Sequence, residues 1–130
     1  MDPLHQLVDR ISECYLPAAR QHENFFINEV PREISISQNQ EWVASIISGM
    51  IATANERTKK TCIRFLAKKY GPVIVLELRE AVRTELPGDD RQIDYIQEMA
   101  EKIGGCLYIS TREEEKILMS FSFPNQPAAA

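Results

Sequence analysis

The sequence predicts an α+β chain: a two-layer sandwich with a mixed, mostly antiparallel sheet and helices on one of its faces. Three observations predict it. Three segments repeat apolar residues at helical spacing. The stretches between them alternate apolar and polar residues in pairs joined by short turns, which favours antiparallel neighbours. Each helical stripe is one-sided, so each helix must bury that side on another layer.

The first helix opens at Asp2-Pro3, a capping residue followed by one that suits a first turn. Leu4, Leu7, Val8, Ile11 and Tyr15 form its stripe, and Pro17 ends or kinks it. In "NFFINEVPREISIS", Phe25 and Ile27 face opposite to Phe26, Pro31 breaks the strand, and Ile34 and Ile36 begin a second. Trp42, Val43, Ile46, Ile47, Met50, Ile51 and Ala54 mark a core helix capped near Ser37 or Asn39, with Trp42 as a core anchor. Gly49 inside it costs up to about 1 kcal/mol relative to Ala, which a close helix-to-sheet approach would explain.

"TCIRFLA" and "VIVLELR" read as strands flanking the turn "KKYGP", the second apolar on both faces and therefore central. The third helix carries Ile93, Ile96, Met99, Ala100 and Ile103, and Gly104 suits its C-terminal cap. "CLYIS" and "KILMSFSF" close the sheet, with Ile117, Met119, Phe121 and Phe123 on one face. The expected organisation is a helix over 1–16, a folded unit over 17–124 and a loose tail over 125–130.

Composition narrows the function classes. The net charge of −4 argues against nucleic-acid binding, which needs a basic surface. The basic run "ERTKKTCIR" reads as a solvated turn. Cys14, Cys62 and Cys106 are an odd, scattered set without CxxC, which fits a reducing cytoplasm. No zinc spacing links them to His5 or His22, so no metal is expected. No segment approaches the roughly 18 apolar residues of a membrane helix, and no signal peptide opens the chain.

The element order, the ending "IDYIQEMAEKIGGCLYIS…ILMSFSFP" and the entry "LPAARQHENFFINEVP" together resemble the ATP-binding catalytic domain of sensor histidine kinases, in the GHKL superfamily. The resemblance covers roughly residues 17–124. It implies that fold, and it implies three nucleotide-binding boxes. The Asn-rich helix, whose second Asn carries magnesium, falls on "GMIATA", placing Gly49 and Thr53 at the two Asn positions. The D-x-G box for adenine falls on Arg79 and Ala81, and an arginine cannot accept a hydrogen bond. Glu80 lies between them on the opposite face of the strand. The G-x-G phosphate box falls on Asp90 and Gln92, beside Asp89. Carboxylates there repel phosphate, though they cap a helix well. The nucleotide lid shrinks to about "RTELPGD".

The resemblance thus implies a kinase-like domain without ordinary ATP binding and without a cofactor. It would act in the cytoplasm as a protein-interaction or regulatory module of two-component-type signalling. Its expected partner is a kinase, a response regulator or a second copy. The stripe Leu4, Leu7, Val8, Ile11 and Tyr15 is a contact surface if the first helix leads away, and core if it folds back.

Two alternatives stand beside this. One is a phosphotransferase using His5, although Gln6 follows where the family's acceptor histidine has an acidic neighbour. A solvated His5 on the polar side of its helix is the plainer reading. The other is a remodelled nucleotide or small-ligand binder, with Arg79 meeting a ligand carboxylate or phosphate. His22 reads as a loop or helix-end residue, Glu113–Glu115 as a solvated hairpin, and Cys62 and Cys106 as small buried strand residues.

Overall fold

The computed structural model describes residues 2–80, 90–109 and 117–125. A short strand β1 (Asp2–Pro3) leads into α1 (Leu4–Cys14) and α2 (Leu16–Gln21). Strands β2 (Phe25–Asn28) and β3 (Ser35–Ile36) follow, then the long helix α3 (Gln40–Glu56). The remaining elements are β4 (Cys62–Tyr70), β5 (Val73–Glu80), α4 (Asp90–Lys102), β6 (Cys106–Ile109) and β7 (Ile117–Pro124). The five-stranded sheet runs β2-β4-β5-β7-β6, parallel only between β2 and β4. It is the predicted α+β sandwich.

Strict alternation builds the interface between the layers. Ile63, Phe65 and Ala67 of β4, and Ile74, Leu76 and Leu78 of β5, are buried on one sheet face. Phe121 and Phe123 join them from β7, their rings stacked at 4.8 Å. Burying each such side chain stabilises by about 1.5–3 kcal/mol. Val43, Ile46, Ile47, Met50, Ile51 and Ala54 of α3 cover this face and are fully buried. Between Leu78 and Arg79 the pairing with β7 slips by one residue, so Leu118 and Met119 are both buried despite being neighbours.

Several local expectations change. Pro3 rather than Asp2 occupies the N-cap position of α1, because Asp2–Pro3 pairs antiparallel with Ser35–Ile36 in a second, two-stranded sheet. Strand β3 therefore stands outside the main sheet. Pro17 does break the first helix, and a further short helix follows at once. Asn39 adopts a left-handed backbone with φ 53° before α3, without a side-chain cap bond. Trp42 is 41% exposed rather than a core anchor, because it falls on the outer side of α3. Gly104 closes α4 at φ +79°, a conformation a Cβ disfavours.

The first helix folds back. Leu4, Leu7 and Val8 are buried in the same core cluster as α3 and the sheet, and Ile11 and Tyr15 pack against it. The Leu4 N–H donates to the Ile34 carbonyl at 2.9 Å, and the Tyr15 and Ser48 hydroxyls meet at 2.7 Å. Residues 4–15 thus share the core of the rest, and the stripe is largely spent inside the chain. Among the described residues, no helix is long and apolar enough to cross a membrane.

Candidate functional site

Three elements converge at one end of the sandwich. Glu80, the last residue of β5, pairs with Ile63 near the start of β4, which follows directly from the C-terminus of α3. Helix α4 packs on α3. At that crossing stands Gly49. A Cβ built there would lie closer to Ile96 Cγ2 than non-bonded atoms approach. The glycine serves close helix-to-helix packing, not the helix-to-sheet approach expected from sequence. One turn on, Thr53 is 2% exposed and its hydroxyl has no hydrogen-bond partner among the described residues. Gln92, one turn before Ile96, is half-buried and lines a surface depression with Gly49.

On β5 the sequence alignment needs a correction. Arg79 points to the open face of the sheet, away from the helices. Its guanidinium donates to Glu77 at 3.0 Å and 2.8 Å on that face. It therefore cannot meet a ligand between sheet and helices. The β-strand period places Glu80 instead with Ile74, Leu76 and Leu78, at 2% exposure on the helix side. Ala81, the lid stretch "RTELPGD" and Glu113–Glu115 lie outside the described residues. Asp90 begins α4.

Beside this end lies a buried amide network that sequence reasoning missed. The Asn24 amide nitrogen donates to Asn55 Oδ1 at 2.9 Å, Thr58 Oγ1 at 3.1 Å and the Thr58 carbonyl at 3.2 Å. Asn24 Oδ1 accepts from the Thr61 N–H at 3.2 Å. The Thr58 hydroxyl donates to the Ala54 carbonyl at 2.7 Å, and His22 Nδ1 lies 3.0 Å from the Thr58 carbonyl. His22 caps the end of α2, as expected. The network fastens the last turn of α3 to the start of β2. The available signal was Asn55, an amide adjoining the apolar stripe of α3, followed by Thr58.

The other sequence candidates resolve individually. His5 is 9% exposed, not solvated: its Nδ1 lies 2.8 Å from the Val30 carbonyl and its Nε2 lies 3.4 Å from Asp9. Asn28 ties the same corner by donating to the His5 carbonyl at 2.9 Å and to Asp9 at 2.8 Å. Arg64 donates to both Glu29 carboxylate oxygens, at 3.1 Å and 2.6 Å, which holds that carboxyl below its ordinary range. Its contribution is present at neutral pH and fades as acid protonates Glu29, but the pair is exposed and screened by salt. Among the described residues, no cluster of three or more His, Cys, Asp or Glu could hold a metal.

The cysteines separate by environment. Cys14 and Cys106 are exposed, the latter against expectation, while Cys62 is half-buried. Burial pushes the Cys62 thiol above its ordinary value. Because the thiolate is the reactive form, iodoacetamide at pH 8 is expected to modify Cys62 last, readable by peptide mass mapping. Equal rates at all three sites would contradict the buried placement.

No family model matches the chain, and no curated protein matches it. Solved structures do. The nucleotide-free catalytic domain of histidine kinase ThkA superposes with a TM-score of 0.78 at 11% identity, covering 96% of this chain and 95% of that one. Acinetobacter baumannii histidine kinase AdeS gives 0.79 at 7% identity, over 95% of this chain and 66% of that one. ThkA in complex with the response regulator TrrA gives 0.75 at 11%, over 98% and 42%. At these identities the likeness is one of fold: this chain is built as histidine-kinase catalytic domains are.

Proposed function

We propose that this chain is a catalytically silent histidine-kinase-like domain. It works in the cytoplasm by binding another protein of two-component-type signalling, without ordinary ATP binding. The carrying observation is the crossing at Gly49 and Ile96. The resembled family places its first box asparagine at that position, and here α4 packs where that side chain would begin. Thr53, at the second asparagine position, is shut in the core rather than presented to a metal. Arg79 faces away from the helices and takes no part at that end; the side chain of β5 that faces them there is Glu80. The two asparagine-box positions are thus weakened by separate physical causes, a helix crossing at Gly49 and burial at Thr53.

The partner class follows from the same comparison: a solved relative in fold is a kinase held in complex with a response regulator. Self-association through the first helix loses its support, since that stripe is consumed by the chain's own core.

A second reading, a remodelled small-ligand binder, is favoured by Glu80 and Thr53, a carboxylate and a hydroxyl buried at one end of the sandwich. One experiment separates the two. Calorimetric titration with ATP and magnesium is expected to show no binding heat, and a nucleotide panel is expected to leave the melting temperature unchanged. A ligand that binds only the native state must raise it. Micromolar ATP binding would overturn the silent-domain reading. Stabilisation by a nucleoside lacking phosphates would favour the second.

A further inference from the structure

The end of α2 and the turn from α3 into β4 meet at one corner of the molecule. The Lys60 N–H donates to the His22 carbonyl at 2.9 Å, and the Phe25 N–H donates to the Thr61 carbonyl at 3.0 Å. The Asn24 amide fastens the same two segments through Thr58 and Thr61. Arg20, Glu23, Phe25 and Lys60 line a recess there with a volume of about 490 Å³. Phe25 is 72% exposed, and Ile27, two residues on along the same sheet face, is 45% exposed. Among the described residues, three non-glycines hold a left-handed backbone, and two of them, Glu23 at φ 58° and Lys60 at φ 56°, line this recess. Side chains with a Cβ rarely adopt that conformation, and such residues cluster where a surface is shaped for contact.

Charge and exposure select the occupant. The turn carries Arg57, Lys59 and Lys60 against Glu56, and the recess sets Arg20 and Lys60 against Glu23. This corner is therefore positive in a chain of net charge −4. The side chains of Arg20 and Lys60 are exposed and form no ion pair among the described residues. The occupant is therefore anionic. A small molecule would not fit the exposure, because such sites enclose most of their ligand and Phe25 stands out from the wall. A nucleic-acid strand needs a continuous basic track. Across the sheet the next cations, Arg64 and Arg79, are already held by Glu29 and Glu77. A segment of another protein covers Phe25 with its own bulk, and its carboxylates meet the free cations. Aromatic and Arg side chains are the usual anchors of such contacts. We infer that this corner docks a short acidic segment of a partner protein, with an aromatic anchor on Phe25 and carboxylates on Arg20 and Lys60. This deepens the silent-domain reading and rests on it for the partner being a protein.

The probe is a fluorescein-labelled peptide of about ten residues, Asp and Glu around one central Trp, read by fluorescence anisotropy with the whole chain. A second peptide has Lys in place of every Asp and Glu, and a labelled oligothymidylate of about the same length is the third arm. The acidic peptide is expected to bind with a Kd of about 10–100 μM, and the basic one about tenfold or more weaker at low salt. Lys60→Asn removes the charge, and Asn accepts the left-handed backbone, so the fold is kept. It is expected to weaken the acidic peptide by about fivefold, and Phe25→Ser by about tenfold. No binding of the acidic peptide, equal binding of both peptides, or indifference to both substitutions would overturn the proposal. Tighter binding of the oligothymidylate would overturn it in favour of a nucleic-acid site. A mass in solution that grows with protein concentration and stops growing in Lys60→Asn would overturn it in favour of a second copy. Binding heat with ATP would instead strike the silent-domain reading and leave a measured preference for the acidic peptide standing.

Discussion

Gly49→Asn is expected to destabilise the chain by about 2–3 kcal/mol, roughly a 10 °C fall in melting temperature for a chain of this size. The cause is the contact with Ile96, since any Cβ at position 49 must displace that branched side chain or push α4 outward. An amide adds a polar group to a tight apolar contact. Gly49→Ala is expected to cost less, because the gain in helix propensity, up to about 1 kcal/mol, offsets part of the crowding. The double variant Gly49→Asn with Ile96→Ala is the control. Removing Ile96 opens the space, so the two costs should sum to more than the pair's measured cost, by about 1 kcal/mol or more. Thermal melts followed by circular dichroism read the parent and each variant, the single Ile96→Ala included. A Gly49→Asn protein as stable as the parent would show that α3 and α4 part easily, and the case against an asparagine at that position would fall with it.

Asn24→Ala is expected to cost about 3 kcal/mol. One amide is bonded to both Asn55 and Thr58 on one side and to the Thr61 N–H on the other, at 5% exposure. Alanine leaves buried acceptors on the last turn of α3 without that donor. Asn24→Asp separates hydrogen bonding from shape, because it keeps the acceptor for Thr61 and replaces the donor with a charged oxygen facing other oxygens. It is expected to be at least as damaging as alanine near neutral pH, and to recover stability as the pH falls and the carboxyl takes a proton. Urea unfolding at two pH values measures this. An Asn24→Asp protein equal to the parent at neutral pH would mean that the network is not what fastens α3 to β2.

Much of the fold was legible because periodicity reports burial. The stripe of α3 from Val43 to Ala54 and the alternation of β5 from Ile74 to Leu78 each identify an element and its buried side without knowledge of neighbours. Phase was harder. Period 2 told that Arg79 and Glu80 face opposite ways, but not which way the helices lay, and the bulge beside Arg79 is not written in the pattern. His5 looked solvated because its helix presents polar neighbours there, yet the Val30 carbonyl, 25 positions away, closes over it.

By itself the sequence determined the kinds of elements, their order and the layered architecture, since these follow from local spacing of apolar side chains. Only the tertiary structure decided that the first helix spends its stripe internally, that Gly49 serves a helix crossing, and that Glu80 rather than Arg79 faces the helices. Those outcomes depend on which distant segments meet, and a contact between residues far apart in the chain leaves no periodic trace in either of them.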